Sequence, residues 1–151
     1  MHSARFGSRR RSARREGQTQ QIVGSAPVFL VADVVKAAEY YGDVLGFSYA
    51  QIWGNPPPFC MPKRDGFIVM LSQTYAPSTI SPNGKIQGDP DCWDAYFCIE
   101  EADALWAEFT KKGATVVYEP VTRELYEMKE LAIRDLDGYV LALGQHWPKN
   151  A

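Results

Sequence analysis

The nine residues "DGFIVMLSQ" (Asp65–Gln73) return 72 positions later as "DGYVLALGQ" (Asp137–Gln145). Asp, Gly, Leu and Gln recur identically, Phe67 is answered by Tyr139, and Ile68 by Val140. A repeat of this kind constrains a fold strongly, because the chain must build the same local structure twice. Chance likeness between two apolar strands would stop at their ends. Here the flanking segments repeat as well.

Ahead of the first copy, "APVFLV" (Ala26–Val31) is apolar and β-branched and reads as a buried strand. "DVVKAAEYYGDVLG" reads as a helix with Asp33 as its cap, and Val34, Ala38, Tyr41 and Leu45 fall on one face. Gly46 closes it in the left-handed position that suits glycine. "FSYAQIW" is a second strand, "GNPPPF" a proline-stiffened loop, and "FCMPKRDGFIVMLSQ" two strands around a turn at Arg64-Asp65-Gly66. Residues 75–91, rich in Pro, Gly, Ser and Asn, make a linker.

The order then restarts. "DAYFCIE" is a strand, "EADALWAEFTKKG" a helix with Ala102, Leu105, Trp106 and Phe109 inward, "ATVVYEP" a strand, and "VTRELYEM" a loop. "KELAIRD" and "LDGYVLALGQ" supply the closing strands. Both halves read β-α-β-β-β, and their helix-ending glycines, Gly46 and Gly113, lie 67 apart. The expected fold is α+β: two modules in pseudo-twofold arrangement, their sheets curved around a cavity and their helices outside. The expected domain spans residues 22–147, with a first module over about 24–74, the linker, a second module over about 92–146, and a tail at 148–151.

The chain's 151 residues suit one domain, and no apolar run approaches the ~18–20 residues of a membrane span. Three cysteines without CxxC spacing argue against a disulfide framework or zinc knuckle, and for reduced thiols in a cytoplasmic protein. Charge is uneven. Residues 1–21 hold six arginines and one glutamate, about +5, and the remainder carries about −7. That head has no apolar periodicity and reads as a disordered arm. Its arginines suit an anionic surface, whereas the acidic body argues against nucleic acid as partner of the folded domain.

With "APVFLVADVVKAAEYYGDVLGFS" at the front and "YEMKELAIRDLDGYVLALG" at the back, the chain resembles the vicinal oxygen chelate superfamily. That group includes glyoxalase I, extradiol dioxygenases and the bleomycin-resistance-type binding proteins, and the last are the nearest in look. The resemblance covers Ala26 to Gln145. In metal-using members, four side chains from the first and last strands of each module hold a divalent ion. Their counterparts here are Ala26, Met70, Asp94 and Ala142. Two alanines, a thioether and one carboxylate make no site for a hard cation. Of the two histidines, His2 falls in the arm and His146 beyond the last expected strand. The resemblance also implies a homodimer. Pro27 matches a proline that, in those relatives, marks where the N-terminal strand crosses to the partner; a plain edge-strand proline would look the same.

No histidine is placed to activate a nucleophile, so no catalytic residue, metal ligand or cofactor is expected. A curved, partly apolar pocket remains. Strand alternation turns Met70, Asp94 and Tyr96 into it, Glu130 can join them, and Trp53, Phe59, Trp93, Tyr118 and Tyr126 fall at its rim. The expected function is metal-independent binding of a small organic molecule, cationic or aromatic, as in antibiotic sequestration and resistance. The enzyme alternative is a metal-dependent lyase or dioxygenase of the same superfamily.

Overall fold

The computed structural model describes residues 17, 19–50, 52, 54, 55 and 57–148. Residues 1–16 of the predicted arm, Trp53 and residues 149–151 lie outside the described residues.

β1 (Val28–Val31) alternates as half-buried strands do, with Phe29 and Val31 buried and Val28 and Leu30 outward. Asp33 caps α1 (Val34–Asp43), its carboxylate accepting from Lys36 N at 3.0 Å. Val34, Ala37, Ala38 and Tyr41 form the buried stripe. Gly46 ends the turn at φ 74°, and a Cβ there would stand 2.6 Å from Arg64 Nη1. That nitrogen donates to Leu45 O at 2.7 Å.

The first module's remaining strands are short. They are β2 (Phe59–Cys60), β3 (Lys63–Arg64), β4 (Phe67–Ile68) and β5 (Met70–Gln73). Its sheet runs β1-β5-β2, with β3 and β4 as a separate hairpin. Among the described residues, the strand expected over 47–53 shows a single bridge, Ser48 with Lys63. Pro62, beside that bridge, offers no amide donor to lengthen the ladder.

The linker is not bare coil. It carries a 3-10 turn at Pro77–Thr79 and a short helix, α2 (Asn83–Gln87). The second module follows as β6 (Ala95–Ile99), α3 (Ala102–Lys111), β7 (Thr115–Arg123), β8 (Met128–Arg134) and β9 (Val140–His146), in the order β6-β9-β8-β7. β7 runs on to Arg123, through residues expected to be loop, because Val121, Thr122 and Arg123 pair with Glu130, Lys129 and Met128.

The repeat now has a physical reading. β1 and β5 pair in parallel, as do β6 and β9, so the repeated nonapeptide ends in the strand beside each module's first strand. Its glutamine then turns onto the helix. Gln73 Oε1 accepts from Val34 N at 2.9 Å, and Gln145 Oε1 accepts from Ala102 N at 2.9 Å. Each glutamine satisfies an amide at a helix N-terminus that no intrahelical carbonyl can reach.

One core joins the modules. It holds Val31, Tyr41 and Leu71 from the first and Phe109, Leu131, Ile133 and Leu141 from the second. Phe29 stacks on Tyr139 at 4.3 Å, and Tyr139 OH donates to Leu30 O at 2.7 Å. Arg64 grips Glu108 on α3 with two hydrogen bonds, at 2.6 and 3.0 Å. Among the described residues no helix is long and apolar enough to cross a membrane.

Asp135 is the buried hinge of this junction. Its carboxylate accepts from Tyr41 OH at 2.8 Å and from the amides of Asp137 and Tyr139 at 2.9 and 3.0 Å. Burial pushes its pKa up to about 6, in spite of the lowering by those donors. The folded protein therefore holds this proton more tightly than the unfolded chain. The resulting stabilisation is full below the ordinary aspartate pKa and is lost as pH rises through about 6. Asp135→Asn keeps the shape without the titration. The stability of wild type relative to Asp135→Asn, from urea unfolding, is expected to fall by roughly 1–3 kcal/mol between pH 4 and pH 7.

Candidate functional site

Residues alternate on β8. Leu131 and Ile133 enter the core, so Glu130 and Ala132 point to the other face of the sheet. There Ala132, Ala142 and Val140 make a shallow apolar floor packed by Tyr96, Val117 and Tyr118. Small side chains leave room for large ones to lie across them.

Glu130 is fully buried on that face, at 0% exposure. An isolated buried carboxylate would cost several kcal/mol, and four donors offset this. Oε2 accepts from Tyr96 OH at 3.0 Å. Oε1 accepts from Tyr126 OH at 2.6 Å, Arg123 Nε at 3.0 Å and Tyr118 OH at 3.3 Å. Trp93 extends the chain of bonds, its Nε1 donating to Tyr118 OH at 2.9 Å. The rings of Trp93 and Tyr96 lie 4.9 Å apart, and the Arg123 guanidinium sits 5.1 Å from the centre of the Tyr118 ring. One carboxylate thus fixes three phenols directly and an indole at second hand.

Burial, followed by hydrogen bonding to Glu130, raises the pKa of Tyr96 well beyond the ordinary phenol value and pushes that of Tyr126 up to about 12. Tyr118 is also raised, again chiefly by burial. The phenols stay protonated at neutral pH and remain donors. Neither oxygen of Glu130 is left without a donor. What this face offers a ligand is ring surface: Trp93 is 36% exposed and Tyr126 44%.

The expected residues Trp93, Tyr96, Tyr118, Tyr126 and Glu130 are brought together here. Asp94 is turned elsewhere. Its two oxygens accept from Asn83 N at 2.7 Å and Val140 N at 2.8 Å, pinning the linker helix to β9. Phe59 and Met70 lie on the first module's sheet, paired with Ser72 and Val28, on the face away from the core. Trp53 is outside the described residues. Two participants escaped the sequence reading. Arg123 fell in a stretch taken for loop; its signal was its pairing distance from Met128. Gly144 sits inside β9, and a Cβ there would overlap Tyr96 Oη and lie 2.6 Å from Tyr96 Cζ. Glycine within a strand signals such a close approach.

The donor set does not fit a divalent metal. Of the four family positions, Ala26 and Ala142 have no donor atom, Met70 offers a thioether, and Asp94 is engaged by two amides. Among the described residues, no group of three or more His, Cys, Asp or Glu is placed to hold an ion.

Residues 24–143 match the family model described as the Glyoxalase/Bleomycin resistance protein/Dioxygenase superfamily. No curated protein sequence matches the chain. Among solved structures, TioX from Micromonospora sp. ML1 is similar at 21% identity, over 82% of this chain and 99% of that one, with a TM-score of 0.63. The bleomycin-binding protein from bleomycin-producing Streptomyces verticillus, complexed with copper(II)-bleomycin, is similar at 20% identity, over 83% and 97%, TM-score 0.60. TnmS3, an antibiotic binding protein from Streptomyces sp. CB03234, is similar at 20% identity, over 84% and 99%, TM-score 0.60. At these identities the likeness is one of fold.

Gly144→Ala tests the slot. The added methyl group must displace Tyr96 from Glu130, and an expected loss of roughly 1–3 kcal/mol, as for overpacked cores, would be read by urea unfolding.

Proposed function

Since the chain belongs to the Glyoxalase/Bleomycin resistance protein/Dioxygenase superfamily, we propose that it binds a small, planar aromatic molecule against Trp93, Tyr96, Tyr118 and Tyr126 without transforming it. The observation that carries this reading is the caged carboxylate. Both oxygens of Glu130 accept from the walls, so it organises the site instead of reacting in it. Arg123 balances its charge locally, which favours an aromatic ligand over a cationic one. Rigid rings held by a buried network bind a planar partner with little ordering cost. Sequestration of an antibiotic fits this chemistry. The S. verticillus relative was solved with copper(II)-bleomycin, and TnmS3 is described as an antibiotic binding protein.

The ligand site is completed, in this proposal, by a second copy of the chain. Val28 and Leu30 are 60% and 49% exposed on a sheet face they share with Met70 and Phe59. A homodimer would cover that apolar face and set it opposite an aromatic wall.

Three measurements test these readings. Trp93→Ala is expected to weaken calorimetric binding of an aromatic antibiotic, drawn from a panel that includes bleomycin, by about tenfold, or ~1.4 kcal/mol. A stoichiometric, tightly held transition metal in the purified protein, with turnover that depends on it, would overturn the non-catalytic reading. Val28→Asp with Leu30→Asp is expected to shift the sedimenting species from dimer to monomer. An unchanged species would remove the shared-site proposal.

A further inference from the structure

A cavity of about 640 Å³ lies apart from the aromatic wall, between the β3–β4 hairpin, the outer strand β6 and α3. Its floor is apolar, built from Phe97, Ile99, Leu105, Leu141 and Leu143. Its mouth is acidic, with Asp65 on the hairpin side and Glu100, Glu101 and Glu108 on the side of α3. Arg64 offsets Glu108, with hydrogen bonds at 2.6 and 3.0 Å, and stands 3.6 Å from Asp65. Glu100 and Glu101 have no ion-pair partner among the described residues. The cavity therefore combines apolar depth with uncompensated negative charge at its entrance.

The sequence holds one segment of opposite character. Residues 1–21 carry six arginines, at positions 5, 9, 10, 11, 14 and 15, against one glutamate, and the proposed ligand site makes no use of them. The chain joins the body beside this cavity. Pro27 O accepts from Met70 N at 2.9 Å, and β1 runs parallel to β5 with Val28 opposite Met70. That register, continued two residues before Pro27, would set residues 25 and 26 opposite Phe67 and Ile68. Phe67 lines the cavity and is 66% exposed. The ten residues from 16 to 25 span up to roughly 33–36 Å when extended, which brings arginines 9 to 15 within reach of the mouth.

We propose that the arginine-rich head of this chain docks across the acidic mouth of its own cavity, with guanidinium groups on Glu100 and Glu101. Guanidinium suits this role: it forks onto carboxylates and sheds water more readily than an ammonium. Attraction between exposed charges fades with salt, since screening acts over about 8–10 Å at physiological ionic strength. Docking is therefore salt-sensitive. Residues 19–25 are exposed, and the side-chain hydrogen bonds of Gln20 and Gln21 stay within that segment. Deleting residues 1–21 accordingly removes no described bond to the body.

An introduced thiol reports on the mouth. Ala104 lines the cavity from α3 and is exposed, whereas Cys60 is buried and Cys98, opposite Gly144, shares the sheet face of Tyr96. In a Cys92→Ser, Cys98→Ser background carrying Ala104→Cys, alkylation of the new thiol by uncharged iodoacetamide would be followed in the full chain and in the chain lacking residues 1–21. The full chain is expected to react at least threefold more slowly at low salt, and equally fast at 0.5 M NaCl. Glu100→Gln with Glu101→Gln is expected to abolish the protection. A fluorescent peptide of residues 1–21 should bind the shortened protein in trans at low salt, and at least tenfold less tightly with both glutamates neutralised. Equal alkylation rates, protection that survives neutralisation of the glutamates, or a peptide that does not bind would each overturn the proposal. So would arm-dependent binding to poly(U) RNA or to phosphatidylserine vesicles with alkylation rates unchanged, which would assign the head to that anionic partner instead.

Discussion

A carboxylate with no exposed surface sits on the open face of a β-sheet, and most of what distinguishes this molecule follows from how that is tolerated. Glu130 is buried because rings cover it, and the rings stay in place because their hydroxyls donate to it. Neither half of that arrangement stands without the other. Removing the carboxylate would leave three phenols and a guanidinium without their acceptor, and removing the rings would strand a charge in low dielectric. Such mutual dependence makes a polar network rigid, and rigidity is what an aromatic wall needs in order to bind a flat ligand without first being ordered.

The two modules share a backbone plan and divide its uses. By strand register, Phe59 in the first module occupies the place that Glu130 occupies in the second, and Ser72 the place of Gly144. Val28 likewise corresponds to Tyr96. The first module therefore presents an apolar face where the second presents a hydrogen-bonded aromatic cluster. What both kept is structural: the glutamine that finishes β5 and β9 and satisfies the first amide of each main helix. Identity persisted where backbone amides demanded it, and diverged where side chains faced outward.

That division explains how much was legible in the sequence. The repeat, the helices, the closing strands and the family resemblance rest on local pattern, and they stand in the structure. Glu130 and its tyrosines were accessible because a lone carboxylate in an apolar strand and aromatics nearby are conspicuous. Asp94 was assigned to the pocket by alternation, but it lies one residue before β6, and its oxygens are claimed by Asn83 N and Val140 N. Such a partnership, one half of it in a linker read as irregular, has no local signature. Arg123 was hidden for the same reason, because its role depends on β7 continuing opposite β8. Of the strand expected over 47–53, the described residues pair at Ser48, and Pro62 removes a donor from the segment meant to continue that pairing.

The contrast between interrupted and continuous ladders has a dynamic consequence. The second module's sheet is knit by β8 and β9 over seven residues each, while β2, β3 and β4 contribute two each. Amide protons of its two inner strands, β8 and β9, are flanked by neighbours on both sides. Those around the proline-broken hairpin lie one or two bonds from release. Phe59–Ile68 thus holds fewer ladder bonds than the long strands of the second module, and its Arg64 is tied instead to Leu45 O and Glu108. That segment borders the acidic-mouthed cavity through Arg64, Asp65 and Phe67, so side-chain anchors hold that wall in place of a ladder.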